Sequence, residues 1–156
     1  MGKKTILVIE DSADMRALVS VKLKKHGYDT VWAADAMQAM TVARQTQPDA
    51  IILDLGLPAG NGFLVMERLK GHPQLCSIPV IILTADQSVE SEFKGIHAGA
   101  MAFLRKPLQE EALIDTVRYA VGDAAECPIT DVDPITDTEV QRWEQADKLH
   151  RSRSIR

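Results

Sequence analysis

Short apolar runs alternate with helix-patterned stretches along the first 122 residues, and that alternation predicts the architecture. "TILVIE", residues 5–10, is an apolar run ending in acid and reads as a strand. Ser12 is placed to cap a helix in which Met15, Leu18 and Val19 recur at helical spacing, and Gly27 stops it. "YDTVWAA" reads as a second strand, and residues 35–46 as a second helix halted by Pro48. "AIILD" is the third strand, and "LGLPAGNG" a loop into a helix at about 62–71. "PVIILT" is the fourth strand, followed by a polar helix at about 87–98. "AMAFLRK" is the fifth, and a last helix at about 109–121 carries Leu113, Val117 and Val121 inward before Gly122.

Strands 1, 3 and 4 are apolar throughout, as expected of parallel strands covered by helices on both faces. Five β–α units with right-handed crossovers predict a doubly wound five-stranded parallel α/β domain over residues 1–122, flanked by five helices. Such folds place their sites at the carboxyl ends of the strands. Strand 1 ends in Glu10 and Asp11, strand 3 in Asp54, strand 4 in Thr84, and strand 5 in Lys106 before Pro107. Three clustered carboxylates repel one another unless a cation or a proton intervenes. Hard oxygen donors with few protein contacts suit Mg²⁺. Lys106 can neutralise the remaining charge and Thr84 can donate a hydrogen bond, which together would stabilise a phosphoryl group transferred to Asp54. Taken singly, an acid at a strand end is an ordinary helix cap; jointly, at successive strand ends, these residues make a site.

The set Glu10-Asp11, Asp54, Pro58, Gly62, Thr84-Ala85 and Lys106-Pro107 closely resembles the receiver domain of two-component response regulators, over residues 5–121. The resemblance implies a flavodoxin-like fold with strand order 2-1-3-4-5. It implies a phosphoryl group accepted on Asp54 from a sensor histidine kinase or phosphotransfer protein. Mg²⁺ would be held by Glu10, Asp11, Asp54 and the backbone carbonyl of Gly56. Lys106 would bind the phosphoryl group, Thr84 would swing toward it, Phe103 would be the switch aromatic that turns inward, and Ala85 would leave room. The surface around Met15 would meet the phosphodonor; the alternative is that Lys22, Lys24 and Lys25 simply form a solvated face of that helix.

Several positions depart from the common pattern. Glu10 stands where Asp is more frequent, Asn61 where an Asp usually precedes the loop glycine, and Ala102 where an acid often serves inter-subunit ion pairs. Phe103 lacks the hydroxyl of a switch tyrosine. Gly56 and Asp86 lie beside the expected phosphoryl site and are expected to set how fast water removes the group. A Mg²⁺-dependent phosphohydrolase would share the Asp nucleophile, but the haloacid-dehalogenase type needs an Asp where this chain has Gly56. A binding module indifferent to phosphorylation is the other alternative, and it gives no reason for the full set of acids, Thr and Lys.

Composition narrows the classes. A net charge of −4 predicts no broad nucleic-acid footprint and no direct DNA binding. Cys76 and Cys127 make no CxxC or disulfide framework, no apolar run spans a bilayer and no secretory signal is visible, so a reduced, cytoplasmic protein is expected. His26, His72, His97 and His150 show no metal spacing and read as surface or capping residues. Met37, Met40 and Met66 read as core or gap-filling residues.

Residues 123–156 differ in character, with 8 acids against 5 bases. Pro128 and Pro134 mark a linker, and Thr136-x-x-Glu139 is a capping-box pattern. Val140, Trp143, Ala146 and Leu149 then form one narrow stripe on a short helix at about 137–150. That helix either packs back on the domain or frays, or else it docks a partner or second copy through Trp143. The tail is too small for an output domain, so output is expected through a separate effector protein, with the oligomeric state open.

Overall fold

The structure, a computed structural model, describes residues 3–57, 62–85 and 98–123. Five strands, β1 (Thr5–Ile9), β2 (Asp29–Ala33), β3 (Ala50–Asp54), β4 (Val80–Thr84) and β5 (Ala102–Arg105), form one sheet in the order β2-β1-β3-β4-β5. Every neighbouring pair is parallel. Four helices accompany them among the described residues: α1 (Ala13–Lys25), α2 (Ala36–Thr46), α3 (Gly62–Gly71) and α4 (Glu110–Ala120). The helix expected at about 87–98 and the tail helix at about 137–150 lie, apart from residue 98, outside the described residues.

The uniformly apolar strands are the buried ones: β3 and β4 are buried at every position, and β1 at all but its first. Alternate side chains feed two cores, because successive residues of a strand face opposite sides. Leu7, Ile51, Leu53 and Ile82 pack toward α2 and α3, while Val8, Ile52, Ile81 and Leu83 pack toward α1 and α4. Each such side chain removed from water stabilises the fold by about 1.5–3 kcal/mol.

Ser12 starts α1 as expected, and Asp35, read as the first residue of the second helix, caps α2 instead. The Ser12 hydroxyl accepts the Met15 N–H at 3.3 Å, and Asp35 accepts the Gln38 N–H at 2.8 Å to cap α2. Gly27 and Gly122 follow α1 and α4 with φ of 89° and 84°, where a β-carbon is disfavoured. His26 caps α1 and the His72 ring accepts the Gln74 N–H, so both described histidines serve local structure.

Three expectations need correction. Leu18 is 46 % exposed, and the inward positions of α1 are Val19 and Leu23. Met37 is 79 % exposed, whereas Met66 is fully buried and Met40 partly so. Val121 is only partly buried, because it follows α4 as its C-cap. For Leu18 the helical spacing was right, but the sheet determined which side of the helix turned inward.

Candidate functional site

Register brings the strand ends together. Ile9 pairs with Leu53, so Glu10 and Asp54 emerge side by side at the carboxyl rim. Asp54 pairs with Leu83 and Thr84 with Arg105, which carries Thr84 and then Lys106 onto the same rim. The chain reverses direction across the sheet between β1 and β3, so this cluster sits at the topological switch point.

Glu10, Asp54 and Thr84 are the buried members, with Glu10 only 2 % and Asp54 only 4 % exposed, while Asp11 faces solvent. Glu10, Asp11 and Asp54 each offer a carboxylate oxygen within 4.8 Å of the others. The Lys106 ammonium lies 3.3 Å from Glu10 Oε2 and 3.4 Å from Asp54 Oδ2. The Gly56 N–H donates to Asp54 Oδ1 at 2.9 Å, and the Ser12 N–H donates to Glu10 Oε1 at 3.3 Å. Among the described residues no buried side-chain N or O atom lacks a partner. The desolvation of Asp54 is thus offset by an ammonium on one oxygen and a backbone donor on the other.

Charge balance at the site is incomplete. Burial, reinforced by the Asp54 carboxylate beside it, pushes Glu10 up to about 7. Burial alone would lower the Lys106 ammonium, but the charges of Asp54 and Glu10 outweigh it and the net displacement is upward. Among the described residues one ammonium contacts this cluster of three acids, which leaves an excess of negative charge, and every carboxylate in the set offers a hard oxygen. That set fits Mg²⁺, which favours carboxylate, carbonyl and water ligands. A β-carbon at position 56 would lie 3.3 Å from Asp54 Oδ1, so glycine there keeps the approach to the carboxylate open.

Phe103, the expected switch aromatic, is 9 % exposed and packs in the core on the α2 and α3 side. It therefore occupies an inward position here. Ala85 lines the cleft beside Thr84, and Phe63, which sequence reasoning missed, lines it as well. Gly62 is required for another reason: a β-carbon there would meet Leu55 Cα at 2.7 Å. Pro58, Asn61 and Asp86 lie outside the described residues. Sequence reasoning also passed over Arg16, which donates to the carbonyl oxygens of Glu10 and Asp11. Its only signal was an arginine one turn after the Ser12 cap.

The fold and the rim define the class: a doubly wound flavodoxin-like protein carrying an acid–lysine cluster where its strand order reverses. The response regulator receiver domain model matches residues 6–118, and the chain belongs to that family. Receiver domains are signalling modules. The chain is 32% identical over 117 residues to the protein PilH of Pseudomonas aeruginosa, covering 75% of this chain and 97% of PilH. It is 39% identical over 113 residues to the DNA-binding dual master transcriptional regulator RpaA of Synechocystis, covering 72% of this chain and 47% of RpaA. The chain thus spans about half the length of that relative. The chemotaxis protein CheY4 of Vibrio cholerae superposes with a TM-score of 0.72 at 30% identity, covering 76% of this chain and 99% of CheY4. Among the described residues no helix is long and apolar enough to cross a membrane.

Proposed function

We propose that this chain is a phosphoacceptor module of a two-component system in which Asp54 takes a phosphoryl group from a histidine kinase or phosphotransfer protein. One observation carries the reading: Glu10, Asp11 and Asp54 converge within 4.8 Å, with Lys106 bridging the two buried acids. An Asp54 oxygen attacks phosphorus, the bond from phosphorus to the donor nitrogen breaks, and its electron pair returns to the imidazole, which takes up a proton. Asp54 becomes an acyl phosphate. Lys106 holds the transferred group by charge, and the Thr84 hydroxyl donates to one of its oxygens. Glu10, Asp11, Asp54 and the Gly56 carbonyl would hold Mg²⁺, whose positive charge screens the acids from the incoming phosphoryl oxygens. Thr84 and Phe103 relay the change to the surface around residues 87–98, β5 and α4, where a separate effector protein reads it. The chain acts in the cytoplasm and catalyses only its own phosphorylation and dephosphorylation.

Intact mass after incubation with Mg²⁺ and acetyl phosphate tests this. Wild type gains one phosphoryl group, Asp54→Asn gains none, and chelation abolishes the gain. Absence of any gain on folded protein with two different donors would overturn the reading in favour of a binding module indifferent to phosphorylation.

A further inference from the structure

We propose that Arg16 and Trp32 form a brace that fixes the backbone of the acid loop, so that an exposed aromatic on the edge strand tunes Mg²⁺ binding; this rests on the phosphoacceptor reading above. Arg16 is half-buried in the first turns of α1, and one guanidinium nitrogen donates to the Glu10 carbonyl at 2.9 Å and the Asp11 carbonyl at 3.3 Å. These carbonyls precede the Ser12 cap and lie outside the helix ladder, and Arg16 supplies a donor to each. Behind them the guanidinium stacks over the Trp32 ring, 4.3 Å from its centroid. Trp32 is 57 % exposed on β2, an edge strand of the sheet. The residue after it, Ala33, accepts the Glu10 N–H at 3.0 Å.

The Glu10 backbone is therefore held at both ends by the end of β2: its N–H directly by Ala33, its C=O through Arg16 braced on Trp32. The grip has an electrostatic consequence. Two carbonyl dipoles whose negative ends are drawn to a guanidinium do not add to the three carboxylates at the site. Arg16 and Trp32 line a groove between α1 and β2, separate from the cleft that holds Asp54. They are positioning residues rather than ligands. Lysine does not replace Arg16, because a compact ammonium lacks the planar face that stacks on indole while its edge binds two acceptors.

The test uses the full chain and reads Mg²⁺ affinity from the rise of Tm with Mg²⁺ concentration, with Tm in chelator as the baseline. Arg16→Ala weakens Mg²⁺ binding about tenfold, the low end for an outer-shell partner of a metal site. Trp32→Ala weakens it about threefold although it touches no ligand, and Trp32→Phe retains most of the affinity. Arg16→Lys falls nearer to Arg16→Ala than to wild type. In the Arg16→Ala background Trp32→Ala has no further effect on Mg²⁺ affinity. An unchanged affinity in Trp32→Ala beside a wild type that binds Mg²⁺ overturns the brace alone, even if Tm in chelator falls. An equal Trp32→Ala loss with and without Arg16 does the same. A wild type that binds no Mg²⁺ overturns the site reading and the brace with it.

Discussion

Two clusters in this molecule pair a lysine with a glutamate at nearly the same distance and behave in opposite ways. At the strand rim Lys106 lies 3.3 Å from Glu10; at the helix surface Lys25 lies 3.4 Å from Glu110, with His26 at 3.2 Å. The Glu10 side chain is 3% exposed and that of Glu110 34%. Burial drives Glu10 up to about 7, whereas the hydrogen bond from His26 and the nearby lysines lower Glu110. Contact distance therefore says little about an ion pair. Water decides: where it is excluded, an acid without enough cation is held at a cost, and the site is left poised to take up positive charge.

The sharpest way to break this contrast is Lys106→Ala. In the metal-free chain above pH 7 it leaves two buried carboxylates without their cation, and a loss of about 2–3 kcal/mol is expected in urea denaturation, somewhat less than for a fully buried pair. Mg²⁺ should recover part of that loss. Full stability of Lys106→Ala in chelator would show that the rim is as well solvated as the helix surface.

Glu10→Gln sharpens the comparison in the other direction. Glu10 binds its proton more tightly in the folded chain than at its ordinary value of 4.5. Its contribution to stability is therefore complete below about 4.5 and is lost as pH rises through about 7 in the absence of metal. The amide removes that titration. Metal-free Glu10→Gln should exceed wild type at pH 8 by on the order of 2 kcal/mol, with a flatter profile between pH 4.5 and 7 and weaker binding of Mg²⁺. Parallel pH profiles for the two proteins would refute the assignment.

Lys25→Ala is the small-effect control. The pair is exposed and screened, so the denaturation midpoint should stay within experimental error, and the same should hold for Glu110→Ala. A shift as large as that of Lys106→Ala would mean that α1 and α4 depend on this contact for their packing.

Much of the site was legible because its chemistry sits at the ends of uninterrupted apolar runs. An acid after "TILVI" or "AIIL" has no apolar face to hide on, and once both strands are read as central and parallel their carboxylates must emerge on one rim. Glu10, Asp11, Asp54, Thr84 and Lys106 all follow from that reasoning. Arg16 and Phe63 did not, since an arginine in a helix and an aromatic after a glycine are ordinary in any surface segment.

The chain's own pattern determined the number and parallel sense of the strands, the cap Ser12, and the ring of polar strand ends, because these depend on residue period and local backbone preference. Distances, and with them burial, came from packing. Which face of α1 turned inward, exposing Leu18 and covering Val19, depended on the sheet beneath it. The pairing of Arg16 with Trp32 required β2 to lie beside β1, and the upward displacement of Glu10 required the fold to bury it and to bring Asp54 beside it from the neighbouring β3. Electrostatic and stacking energies depend on separation and on excluded water, and neither exists until the strands have come together.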